Sequence, residues 1–321
     1  MCRVLLMCLM FSSCLEGLPL SDRSRMPVFT FFLVSYVFIM VANVGNIVLI
    51  LSERSLHQPL YLLLCNLSIN DIIGGTHIIP RLLSDMLRSP SERIISYPEC
   101  VTQAFVTHVF ATASHTVLMI MAFDRYVAIC DPLRYSSIMS RKMLLKLMAF
   151  AWGVAIVLVS VLIGLSVRLT RCRALITNPY CDNASLFKLS CESTLINNIY
   201  GLLFTVLLLS ASIGAMLLTY SRITMVCLSG RSSSLNRRAL QTCSTHLLVY
   251  LLLLLSGVLV IVLHRFPQLA HYRKMAAILL FTVPGSVNPI IYGVQSREIR
   301  KSSKSHGFCH KKSITLITLT P

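Results

Sequence analysis

Seven windows of this chain carry no charged side chain, or only one, and no other feature limits its fold so strongly. With His counted as neutral they are 26–52, 100–123, 147–167, 193–221, 239–264 and 275–296. A seventh, 55–80, is interrupted only by Asp71. Each is 21 to 29 residues long, and a helix crossing a bilayer needs about 20 residues at ~1.5 Å rise each. Two such windows fit inside a large soluble protein. Seven in 321 residues leave too little polar surface to cover them. The expected fold is an all-α membrane protein, a seven-transmembrane helix bundle. Charged residues make up 13% of the chain, about half the ~25% of a soluble domain, and mean hydropathy is +0.74.

The connections are short and leave no room for a second folded domain. No internal repeat of the transporter kind is found. The expected division is an outer segment over 1–26, a seven-transmembrane domain over 27–296 and a tail over 297–321 with a short amphipathic helix. The opening stretch is apolar over Val4 to Phe11 but too short to span. A signal peptide, a terminal extension and a start placed upstream of Met26 all fit it.

The excess of Lys and Arg, 29 against 12 acidic residues, would suggest nucleic acid in a soluble protein. Here it reads against the membrane, and no nucleic-acid partner is expected. With the N-terminus outside, the inner segments hold 16 Lys and Arg and the outer segments 13, so the positive-inside rule favours this topology by three residues. Cys100, Cys172, Cys181 and Cys191 lie in or beside two connections that share one side. Disulfides persist where the surroundings are oxidising, so that side is expected to be extracellular, with the C-terminus cytoplasmic. The sequon at Asn183 lies in the same connection and is a candidate glycosylation site. A second sequon, at Asn66, falls inside a span and reads as chance.

Asp71 is the acidic residue in the middle of a span, where a carboxylate is costly and points to function. Asn46, Ser68 and Asn288 are its expected partners. Such a cluster could hold a cation or glue helices, and a conformational switch is the favoured reading. The third span ends in Met121-Ala122-Phe123-Asp124-Arg125-Tyr126-Val127-Ala128-Ile129-Cys130, where Asp124 can supply the counter-charge of Arg125. Asn288-Pro289-Ile290-Ile291-Tyr292 places a helix-breaking proline in the last span. From Arg222 to His264 there is no Asp or Glu. A salt bridge from Arg125 to the sixth span is therefore impossible. Restraint must come from Asp124 and hydrogen bonds, His246 and Thr242 being candidates, which implies a shallow barrier between conformations. No phosphate loop, metal-ligand spacing or nucleophile–base pair is present, so neither an enzyme, a cofactor nor a metal is expected.

With Gly45-Asn46, Leu56 to Tyr61, Tyr220-Ser221-Arg222-Ile223, Thr242-Cys243-Ser244-Thr245-His246-Leu247 and Pro284 to Tyr292, these motifs occur in the order found in one family. Across about 27–300 the chain resembles the olfactory (odorant) receptors of the rhodopsin-like G-protein-coupled class. It departs from them in lacking an N-terminal sequon, in Leu253-Leu254-Leu255 where Phe-Tyr-Gly is common, and in Pro-Gly-Ser-Val-Asn-Pro in the seventh span. Some of these variants resemble fish-type branches.

The resemblance implies an odorant as ligand, a stimulatory, olfactory-type heterotrimeric G protein as partner, and the plasma membrane, with its lipids, as location. It selects the pairs Cys100–Cys181 and Cys172–Cys191 from three possible connectivities. The pocket should lie between the outer halves of spans three, five, six and seven. Thr107, His108, Ala111 and Thr112 share a face of span three. Phe204, Thr205 and Leu208, then Gly257, Val258 and Ile261, then Ile278 and Phe281 are the facing positions expected by analogous spacing. The set is mostly apolar, as small-molecule sites are. His108 would meet a carbonyl, acid or amine, with an interhelical hydrogen bond as the alternative; His115, deeper, is expected to be structural. No Arg or Asp lies at these heights, which disfavours a permanently charged ligand. The expected switch comprises Asn46, Asp71, Asp124, Arg125, Tyr126, Tyr220, His246, Asn288, Pro289 and Tyr292. Cys309, after the basic segment from Arg297 to Lys304, is a candidate for palmitoylation. A receptor of the same subfamily sensing metabolites outside the nose remains the nearest alternative, and a small transporter a remote one.

Overall fold

The computed structural model describes residues 12–18, 20–229, 233–264 and 266–295. Among these, seven helices are long and apolar enough to cross a membrane. They are α1 (Asp22–Ser52), α2 (Pro59–Leu87), α3 (Tyr97–Cys130), α4 (Arg141–Val167), α5 (Leu195–Ser229), α6 (Ser233–His264) and α7 (Ala270–Gln295). Their starts follow from local chemistry. The side chains of Ser21, Ser96 and Ser140 each accept a hydrogen bond from a backbone N–H in the first turn of α1, α3 and α4, offsetting donors that a helix start leaves unpaired. Pro59 opens α2, where its missing N–H costs nothing.

Polar side chains inside the bundle tie the helices in pairs. Asn43 donates to Gly285 O at 3.0 Å, joining α1 to α7. Trp152 Nε1 donates to Asn66 Oδ1 at 3.1 Å, joining α4 to α2; the Asn66 sequon is thereby consumed inside the protein. Asn70 Nδ2 donates to Ser114 Oγ at 2.8 Å, joining α2 to α3. Around them packs an inner apolar core that includes Ile50, Leu63, Leu67, Val117, Met121, Met216 and Tyr250. The outward faces are apolar too, among them Val41, Leu217, Leu218 and Phe150. Helices hydrophobic on every side are stable only when lipid is the solvent.

The structure departs from an all-α fold at one end. Ser12–Leu15 (β1) lies between Ile94–Ser96 (β2) and Leu175–Ile176 (β3), antiparallel to the first and parallel to the second. The first helix also begins at Asp22, earlier than the charge gap from 26 marks. Residues that hydropathy leaves as a bare extension are thus built in. Leu15 is buried with Ile95, Ile176 and the Cys100–Cys181 pair. Gly17 then turns the chain with φ +71°, a conformation that costs a side chain dearly.

Candidate functional site

The two ends of α3 organise the polar chemistry of the bundle. At the disulfide end, Cys100 is bonded to Cys181 with Cα atoms 5.3 Å apart, and Cys172 to Cys191 at 5.8 Å. The first bond draws the loop before α5 down onto α3. Gln103, one turn below Cys100, accepts from the Cys181 N–H at 2.8 Å and donates to His77 O at 3.2 Å, so it clasps loop, α3 and α2 together. Tyr180 is carried into the bundle with its neighbour. Its ring meets Phe281 edge-on at 5.4 Å, and Phe281 in turn packs on Phe110 at 5.2 Å. Ile78 and Ala277 complete this cluster, with Ala111 and Val260 against it. Gly74 makes room for it: a β-carbon there would stand 2.4 Å from the Phe110 ring.

The expected ligand positions divide on this frame. Ala111 and Phe281 belong to the aromatic cluster. Thr107 and Thr112 are buried; the Thr112 hydroxyl donates to His108 O at 2.8 Å, whereas Thr107 Oγ1 has no hydrogen-bond partner among the described residues. His108 Nε2 accepts from the Asn183 N–H at 3.2 Å, so that nitrogen is engaged by the loop. Phe204 packs toward the cluster around Cys100, Val159 and Ile163, and Thr205 donates to Gly201 O at 2.8 Å. Leu208 and Gly257 are half-buried. Ile278 turns away from α3 and packs among Phe32, Ile39 and Ile79. Val258 and Ile261 are 37% and 39% exposed, pointing outward from α6. Val260 is the α6 residue that reaches the cluster. Five and eight residues beyond Leu253 fall well off its face, whereas seven returns to it; a set defined by spacing alone missed this.

Asn183, the candidate glycosylation site, is turned inward. It is 6% exposed. Its side-chain oxygen accepts from Ser166 Oγ at 2.7 Å, and Ser166 Oγ accepts from Asn197 Nδ2 at 3.0 Å. A glycan on Asn183 would break a buried chain that joins the loop to α4 and α5.

In the middle of the bundle Asn288 Nδ2 donates to Asp71 Oδ2 at 2.7 Å, linking α7 to α2 one residue before Pro289. Asn46 is brought to the interior, yet among the described residues its Nδ2 has no partner, nor do Asp71 Oδ1 and Asn288 Oδ1. The expected cluster is therefore bonded between Asp71 and Asn288 and open at Asn46. No group of three or more His, Cys, Asp or Glu is placed to hold a metal among the described residues.

At the other end of α3, Arg125 Nε donates to Asp124 Oδ2 at 2.9 Å. Tyr135 Oη donates to Asp124 Oδ1 at 2.8 Å. Burial and the adjacent Asp124 carboxylate push the Tyr135 phenol above its ordinary range, so it stays a neutral donor. Tyr220 on α5 is hydrogen-bonded to His246 Nδ1 on α6. Tyr126 packs beside them against Ile223, Cys227 and Cys243. The side chain of Tyr292, and all of Cys309, lie outside the described residues.

Seven apolar helices, a paired Asp-Arg-Tyr, a prolyl last helix and a loop disulfide-bonded to α3 define a rhodopsin-like seven-helix receptor. The profile of the olfactory receptor family matches residues 32–311. The chain is similar to mouse olfactory receptor 8G17, 32% identical over 294 residues covering 90% of this chain and 94% of that one. It is likewise similar to human olfactory receptor 52N5, 34% identical over 297 residues covering 90% of each, and to human olfactory receptor 4E1, 32% identical with 90% of each covered. The chain belongs to the olfactory receptor family. It is a G-protein-coupled receptor of the odorant-sensing kind, a multi-pass plasma-membrane protein and not an enzyme.

Proposed function

We propose that this receptor binds a small, mostly apolar odorant at its disulfide end and activates a stimulatory, olfactory-type G protein, raising cAMP in sensory cilia. In this reading the N-terminus and disulfides face outside, 27–296 is the receptor domain, and the tail with Cys309 lies against inner-leaflet lipids. The observation that carries it is the continuity of α3. One rigid helix holds Thr107 and Phe110 beside the aromatic cluster and Arg125 in the polar latch. Thr112 and Arg125 are 13 residues apart, about 20 Å along the helix. A ligand that favours one packing of Phe110, Phe281 and Tyr180 shifts a two-state bundle by its differential affinity. The Pro289 hinge beside Asp71–Asn288 and the Tyr220–His246 contact are the elements that rearrange. A cAMP reporter screen against an odorant panel tests this. Arg125→Ala should abolish the response at unchanged surface expression, and His108→Ala should shift potency by loosening the loop. A response that survives Arg125→Ala unchanged overturns the mechanism.

A further inference from the structure

Among the described residues, Lys274 is the most deeply buried cation of the receptor's disulfide end. It is 3% exposed, and its Nζ lies 3.1 Å from Glu16 Oε2, whose side chain is 51% exposed. Few buried ammonium groups persist without a counter-charge. Helices α5 to α7 offer none, since no Asp or Glu occurs between Glu192 and Glu298, and Asp85 of α2 is taken by Arg81. The counter-charge comes from the N-terminal strap, one residue beyond β1. Nearby, Arg273 Nε is buried without a hydrogen-bond partner. Lys188, on the loop that carries Tyr180, has its ammonium held below its ordinary range by burial and by Arg273, against the opposing pull of Asp182. Lys274, Arg273 and Lys188 thus bring three cations to this mouth, against the carboxylates of Glu16 and Asp182.

Lys274 lies on the face of α7 that carries both Phe281, in the aromatic cluster, and Ile278, which packs against α1 and α2. Lys274, Ala277, Ile278 and Phe281 are all buried, and the spacing of three, four and seven residues places them on one face of α7. Lys274 thus stands about 10 Å along α7 from the Phe281–Tyr180–Phe110 cluster. It lies above the heights at which span three offers no charge, which is why spacing alone disfavours a charged ligand.

We propose that the Lys274 ammonium is the anchoring site for the carboxylate of an aliphatic acid, and that Glu16 is the tethered carboxylate holding this place in the unliganded receptor. The acid's oxygens replace those of Glu16 on Lys274, and its tail lies along α7 toward Phe281. The strap is then released from α7 while β1 keeps its pairing with β2 and β3. This inference rests on the ligand site described under the proposed function and names the ligand class that site takes.

The test is the thermal unfolding midpoint of the full-length receptor in lipid nanodiscs, titrated with octanoate, octanol or methyl octanoate. Octanoate should stabilise the wild type and the two neutral probes should do so less. Glu16→Gln, which removes the tethered competitor and keeps its shape, should lower the octanoate concentration for half-maximal stabilisation by about tenfold and leave the neutral probes unmoved. Lys274→Met should erase the octanoate advantage. Should Lys274→Met not fold, the Glu16→Gln titration decides alone. Equal octanoate sensitivity in wild type and Glu16→Gln, or no octanoate dependence in either, overturns the assignment. The readout contains no G protein, so a failed cAMP screen does not touch it. A receptor that answers only neutral odorants in that screen keeps its functional reading and loses this one.

Discussion

The two ends of the bundle are held by different kinds of force. At the disulfide end, two covalent bonds, a three-stranded sheet and the Lys274–Glu16 ion pair fasten loops and the N-terminal strap to helices, and Arg81 with Glu99 ties α2 to α3. At the Arg125 end, the described contacts are one ion pair between sequence neighbours, Asp124 with Arg125, and beyond it hydrogen bonds and soft packing: Tyr135 with Asp124, Tyr220 with His246, and Tyr126 against Cys227 and Cys243. A covalent bond to a loop is worth several kcal/mol, a single hydrogen bond about 1 kcal/mol. The difference teaches where motion can occur. On the proposed reading, the ligand end keeps its shape and the Arg125 end is latched lightly enough to open.

The comparison breaks most severely at its covalent clasp. Replacing Cys100 and Cys181 together by Ser should cost ~2–5 kcal/mol and remove receptor from the cell surface, read by surface staining. Starting the chain at Met26 removes β1 and Glu16, leaving Lys274 buried without this counter-charge and Arg93 without the Glu16 O acceptor. Loss of the carboxylate beside this buried ammonium should lower the unfolding midpoint, by less than for a pair buried on both sides because Glu16 is half exposed. Gly74→Ala, which forces a methyl into the Phe110 ring, should cost ~1–3 kcal/mol and weaken responses to every odorant. Tyr220→Phe removes about 1 kcal/mol from the light latch. Basal cAMP should then rise about fivefold, whereas a fall would mean that this bond belongs to the signalling state. Smallest of all, peptide-N-glycosidase should leave the mobility of the folded receptor unchanged, because both sequon asparagines are engaged inside the protein.

Much of this was legible before any coordinates. The charge gaps announced seven spans because a buried charge in lipid is expensive whatever the packing. Asp124 beside Arg125, and the absence of acid from 222 to 264, defined the latch in advance because neighbours in sequence must be neighbours in space. Where contacts run between distant segments, spacing faltered. Ile278, Val258 and Ile261 were reached by counting along helices, and the rotation of each helix about its own axis is a packing outcome. Tyr180 and Gln103 gave one faint sign, their closeness to Cys181 and Cys100. Asn183 offered a valid sequon, and only folding showed its amide turned inward.

Composition and order along the chain settled the solvent, the number of crossings and the family motifs, since each follows from local hydropathy or short-range chemistry. Tertiary structure decided which side chains converge: Tyr180 on Phe281, Asn288 on Asp71, and a carboxylate from the start of the chain on Lys274 in its last helix. That last pair joins residues 16 and 274, and no local rule reaches so far. The burial of a charge creates the demand for a partner, but the fold chooses who answers it.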